Sequence, residues 1–128
     1  MKTRNFSESL RFSIEGIIWG LKYERNIKIQ FFIGLLTVIA GLIFKLTELE
    51  LLLILLWTGL VISAEFFNTA IEKALDSYDE NFSPSIKIIK DLCASAVFIL
   101  ALFATISGLI IFLPRLISFL KIIIFRGV

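Results

Sequence analysis

Histidine is absent from the sequence. That removes serine–histidine and cysteine–histidine nucleophile systems, and it removes histidine-ligated zinc sites. Acid–base chemistry in this chain has to rest on carboxylates. A single cysteine, Cys93, excludes an intrachain disulfide framework; it sits in an apolar run and reads as a small packing residue. Proline occurs only twice, at Pro84 and Pro114, so long helices are permitted almost everywhere. Net charge is scarce too, at +2 for 13 basic and 11 acidic residues, which gives no electrostatic footprint for nucleic acid. No internal repeat or low-complexity linker is present, and Walker A, dinucleotide and soluble-kinase signatures are all missing.

What the chain has instead is apolar surface. Hydrophobic residues make up 58% of its 128 residues, and mean hydropathy is +0.93. One small soluble core could not bury that much; a bilayer can accept the remainder. The length fits one domain, residues 1–128. Ile29–Phe44, Leu51–Ala64 and Leu92–Leu113 carry no charge. A span needs about 20 largely apolar residues, so membrane-spanning helices are expected over about 28–47, 49–72 and 91–113. The second reaches full length only if Glu65 sits in or near the membrane.

Ahead of these spans, Phe6, Leu10, Ile14, Ile17, Ile18 and Leu21 recur at helical spacing opposite Glu8, Arg11, Glu15 and Lys22. The pattern predicts an amphipathic helix at about 6–24, lying on the membrane surface with Trp19 and Tyr23 at the interface. The basic start is followed by Glu8, Arg11 and Glu15 and is not a secretory signal. The fold class expected is all-α integral membrane. Pro84 should open a short helix towards Asp91. Pro114 marks a break, and the apolar tail over 115–128 either extends the third span or lies at the interface.

The basic residues are placed unevenly. Lys2, Arg4, Arg11, Lys22, Arg25, Lys28, Lys73, Lys87 and Lys90 fall on one side of the expected spans. Lys45, Arg115, Lys121 and Arg126 fall on the other. The bias predicts a multi-pass protein of the plasma (inner) membrane, with its N-terminus and the Lys73–Lys90 segment in the cytoplasm.

Ala64–Asp76 is the segment that points to chemistry. At about 100° per residue, Asn68, Glu72 and Asp76 fall within about 60° of Glu65 on one helix face. The stripe is roughly 16 Å long. A carboxylate within a span costs perhaps 2.5–3.5 kcal/mol, so this face should meet protein, metal, water or substrate rather than lipid. A structural polar seam between helices is the bland alternative. Glu24-Arg25-Asn26 forms a second polar cluster beside an apolar run. Taken alone it reads as an interfacial anchor; with Glu72, Glu24 could hold a magnesium ion, which needs one or two carboxylates. Lys90-Asp91 opens the third span, where a snorkelling lysine and a helix-start aspartate are the plain reading.

The ordered set Ala64-Glu65-x-x-Asn68-Thr69-Ala70-Ile71-Glu72, then Asp76, then Lys90-Asp91, resembles the small trimeric diacylglycerol kinase family of bacteria. The resemblance runs from Ser13-Ile14-Glu15-Gly16 to Gly108–Pro114, and Glu24-Arg25-Asn26 is similar to its undecaprenol kinase branch. It implies a homotrimer with sites shared between subunits. It also implies ATP-dependent phosphorylation of a membrane lipid alcohol, undecaprenol in preference to diacylglycerol. Glu65 would be the catalytic base and Asn68 would help position it. Glu24 and Glu72 would bind the Mg2+ that accompanies ATP. Lys90 and Asp91 would contact the nucleotide, Asp76 would support the polar site, Asn81, Phe82 and Ser83 would form a loop near the nucleotide, and Phe12 would be the aromatic position on the surface helix. A competing reading is a small proton-coupled transporter with Glu65 as proton carrier; acidic residues continuing into the cytoplasmic layer stand against it.

Overall fold

A computed structural model describes residues 5–78 and 83–126 of the chain. Among the described residues four helices follow one another: α1 (Phe6–Tyr23), α2 (Arg25–Ile43), α3 (Glu48–Tyr78) and α4 (Pro84–Arg126). The last three are long and apolar enough to cross a membrane. Most of the polar segment between Lys73 and Lys90 is helical, because α3 continues to Tyr78 and α4 resumes at Pro84.

Each turn is fixed by local chemistry. Asn5 starts α1 with a capping box in which its side chain and that of Glu8 satisfy each other's backbone N–H groups. Between α1 and α2 stands the single extended residue Glu24, at φ −101° and ψ 120°. α2 ends in a Schellman motif: the N–H of Lys45 donates to Leu42 O (3.2 Å) and that of Leu46 to Gly41 O (3.0 Å). Lys45 holds the left-handed position, φ 52°, where glycine is usual. Leu46 folds back over Gly41, where an added Cβ would lie 3.0 Å from its Cδ1. Thr47 and Glu50 then make a second capping box, with Thr47 N donating to Glu50 Oε2 at 2.9 Å and Glu50 N to Thr47 Oγ1 at 3.4 Å.

α3 is central and packs against both α2 and α4. Its buried stripe is Ile54, Val61, Glu65, Asn68 and Thr69, facing Ile27 of α2 and Val97 and Ile111 of α4. Small residues allow the close approach that helices in an apolar layer need: a Cβ on Gly34 would lie 2.4 Å from Thr58 Cγ2. Trp57 stacks on Phe103 with ring planes 9° apart, joining α3 to α4. Hydroxyls inside the helices satisfy themselves locally, as Thr37 does on Ile33 O (2.8 Å) and Thr105 on Ala101 O (2.8 Å). Most of the large apolar side chains on α2, α3 and α4 are exposed on the single chain, which is the surface a bilayer or further copies would cover.

Two proline expectations are corrected. Pro84 opens α4, but the helix does not stop near Asp91; it runs for 43 residues. Pro114 lies inside it and does not break it. The carbonyl that Pro114 deprives of a backbone donor is that of Ile110, four residues back; the Arg115 side chain bonds the next one, Nη1 donating to Ile111 O at 2.8 Å. The other end of the same guanidinium is held by Glu50 Oε2 at 2.6 Å. Arg115 thus ties α4 to the start of α3, and the apolar tail continues the helix.

The Gly34–Thr58 contact gives a test. Gly34→Ala should destabilise the folded protein by about 1–3 kcal/mol through overpacking. Adding Thr58→Ala should restore more than half of that loss, read as thermal unfolding midpoints in detergent micelles. A single variant as stable as the parent would show that the two helices have slack there.

Candidate functional site at the α1–α2 joint

Gly20 is where α1 meets α3. It is buried, and a Cβ there would fall 2.6 Å from Cε1 of Phe66 and 3.0 Å from Ile27 Cδ1. A side chain here would push the Phe66 ring and the Ile27 tip aside. Gly20 O accepts the N–H of Glu24 at 2.9 Å, closing α1. The chain then turns within one residue, and the Glu24 carboxylate is carried to α3, where Lys73 Nζ lies 3.0 Å from its Oε1. The same ammonium stands 5.7 Å from the centroid of the Trp19 ring on α1.

Along α3 the polar stripe grades from dry to wet. Glu65 is 4% exposed and Asn68 6%; Glu72 is half-buried and Asp76 exposed. Asn68 Nδ2 donates to Glu72 Oε1 at 3.0 Å, so one carboxylate fixes the amide's orientation. The stripe is then continued across the bundle, because Lys90 of α4 pairs with Asp76. Asp91 does not join that pair; it is exposed and lies 3.9 Å from Lys87 on its own helix. Phe12 is on α1 with the Arg11 guanidinium 5.0 Å above its ring. Ser83 stands just before Pro84 and its carbonyl accepts the N–H of Lys87 at 3.2 Å, as a helix-capping position does. Asn81 and Phe82 lie outside the described residues.

Two oxygens in this site, Glu65 Oε1 and Asn68 Oδ1, are buried without a hydrogen-bond partner. Native interiors rarely leave such acceptors unpaired; a water, a hydroxyl or a cation can each satisfy them. Glu72 also acts on Glu65 as a like charge nearby. Among the described residues no three carboxylate or cysteine side chains cluster as a complete metal cage. Magnesium does not require one, since it takes one or two carboxylates and fills its remaining positions with water and phosphate oxygens. Glu24 and Glu72, both hard oxygen donors, fit that requirement.

Next to the polar stripe an apolar groove of about 580 Å³ lies between α2, α3 and α4. Val61 and Ile62, one turn from Glu65, line one end of it, and Gln30 does so from α2. Gly34, Ala101, Ala104 and Gly108 leave room along it, and Phe112 lines it further down α4.

Two residues of the site take their roles from contacts between helices. Asn26 of α2 lies near enough to the Glu65 carboxylate to act on it, and Lys73 neutralises Glu24. Both act between helices, whereas periodicity reports one helix at a time. For Asn26 a signal existed: it shares a face with the groove residues Gln30 and Gly34 at i, i+4 and i+8.

The arrangement is that of a helical membrane protein with a half-dry polar site at one end of its bundle and an apolar groove leading from it. Residues 11–112 match the family described as prokaryotic diacylglycerol kinase. The undecaprenol kinase of Bacillus subtilis (strain 168) is 34% identical over 111 residues, covering 87% of this chain and 90% of that protein. A diacylglycerol kinase of Synechocystis sp. (strain ATCC 27184 / PCC 6803 / Kazusa) is 30% identical over 115 residues, covering 89% of this chain and 66% of that protein. The chain belongs to the prokaryotic diacylglycerol kinase family, and it is an enzyme, a lipid kinase.

If Asn26 orients Glu65, Asn26→Leu should lower turnover about ten- to a hundredfold, the range of one hydrogen bond to a charged group. The thermal midpoint should move little, since Asn26 is exposed. Parent-like turnover by Asn26→Leu would remove it from the site.

Proposed function

We propose that this chain transfers the γ-phosphoryl group of ATP, with Mg2+, to the hydroxyl of a membrane lipid alcohol, undecaprenol in preference to diacylglycerol. One observation carries the reading: a buried carboxylate with an unpartnered oxygen, Glu65 Oε1, beside an apolar groove. A long-chain alcohol supplies both missing parts. Its hydrocarbon chain fills the groove, and its hydroxyl donates to Glu65. The preference for undecaprenol rests on the 34% identity to the Bacillus enzyme, which the chain matches over nearly its whole length.

Phosphoryl transfer asks the protein mainly for alignment and charge stabilisation. Glu65 accepts the hydroxyl proton as the oxygen attacks phosphorus, and Asn68, held by Glu72, keeps the reacting end in place. Glu24 and Glu72 are the residues that would hold the metal, which when bound neutralises charge on the phosphate oxygens. Lys90, set by Asp76, and Asp91 meet the nucleotide, with Ser83, Asn81, Phe82 and Phe12 nearer its periphery. The chain lies in the plasma membrane with its N-terminus and this site on the cytoplasmic side, where ATP is, and α1 rests on that surface. Copies assemble as a homotrimer that shares sites between subunits; the extensive exposed apolar surface of α2–α4 supports this.

Purified protein in mixed micelles, given labelled ATP and Mg2+, should label undecaprenol faster than diacylglycerol. Glu65→Gln should lose about 10²–10⁴-fold of that rate, as removal of a general base does. Labelling undiminished in Glu65→Gln would end its role as base, and faster labelling of diacylglycerol would reassign the substrate. Filling the groove separates its role from the polar site: Ala104→Phe should raise KM for the lipid about tenfold, on the order of 1–3 kcal/mol of overpacking, with KM for ATP unchanged. An equal rise in both would deny the groove to the lipid chain.

A further inference from the structure

The Glu24–Lys73 pair bears on how a metal could enter. Its two members differ in freedom. The Lys73 side chain is 57% exposed, whereas that of Glu24 is 22% exposed and springs from the one-residue joint between α1 and α2. The carboxylate is fixed and the ammonium can leave. Lys73 is held by two weak contacts, one to the carboxylate at 3.0 Å and one to the face of Trp19 at 5.7 Å. Both are attractions for a cation, and a divalent ion reaching Glu24 competes for the first of them.

Resting on the assignment of Glu24 to the metal under Proposed function, we infer that Lys73 is the resident counter-cation of Glu24, which a divalent metal displaces on binding. In the metal-free protein Lys73 keeps Glu24 neutralised and aimed at α3, and it pins the end of α1 through Trp19. Binding of bare metal must break the ion pair, so affinity for metal alone is held down. Lys73 is a positioning residue: it acts on the site through Glu24.

The test uses the full chain in detergent micelles with metal alone. Free Mn2+ is followed by its electron paramagnetic resonance signal. Lys73→Gln should bind Mn2+ about two- to fivefold more tightly than the parent, the range set by a partly exposed ion pair, and Glu24→Gln should lose that binding. In a Trp57→Phe background, which leaves Trp19 as the single tryptophan, Mg2+ should change Trp19 emission, and Lys73→Gln should abolish the change. Equal or weaker Mn2+ binding by Lys73→Gln, with Glu24→Gln still defective, overturns the inference and leaves the metal assignment standing. Undiminished Mn2+ binding by Glu24→Gln overturns the assignment and the inference with it. Should Lys73→Gln fail to fold, the Trp19 titration in the Trp57→Phe protein decides alone, and emission unmoved by saturating Mg2+ overturns the inference.

Discussion

The structure depends on keeping a carboxylate dry. Glu65 is 4% exposed within a helix long and apolar enough to span a membrane, where unpaired charge is costly. The surroundings follow from that constraint. Asn26 reaches it from α2. Asn68, one turn along, is turned by Glu72. Gly20 brings α1 down onto the neighbouring Phe66, and small residues on α2 and α4 leave the groove beside it. A site that must meet both a lipid and a nucleotide has to grade from oil to water within a few turns, and α3 does so from Val61 to Asp76.

The far end of the bundle is arranged by the same accounting of polar groups, without chemistry. Glu50 serves three partners there: the N–H of Thr47, its hydroxyl, and Arg115. Arg115 in turn donates to Ile111 O of its own helix. One carboxylate thus starts α3 and fastens α4. The left-handed Lys45 sits in the same turn; glycine would suit its backbone better, and the basic side chain is what the chain keeps.

How much of this could be read in the sequence depends on whether a feature is local. The helices, the three apolar spans and the common face of Glu65, Asn68, Glu72 and Asp76 repeat within one segment, so periodicity carries them. Lys73 was adjacent to that face in the sequence, yet its pairing with Glu24 joins distant stretches and needs the fold. The pairing of Lys90 with Asp76 has the same cause. Pro114 misled for another reason: the rule that proline ends a helix assumes that freed carbonyls have nowhere better to go than water. In an apolar layer helix is the economical state of the backbone, and α4 continues through Pro114.

The corner at Glu24 has a mechanical consequence. One extended residue joins α1 to α2, so the joint contains no slack. A change of tilt in either helix must appear as a displacement of the residue between them. That residue carries a carboxylate against α3, while a longer loop would have absorbed the motion before it reached any charged group. The corner therefore couples the angle between α1 and α2 to the position of the Glu24 carboxylate.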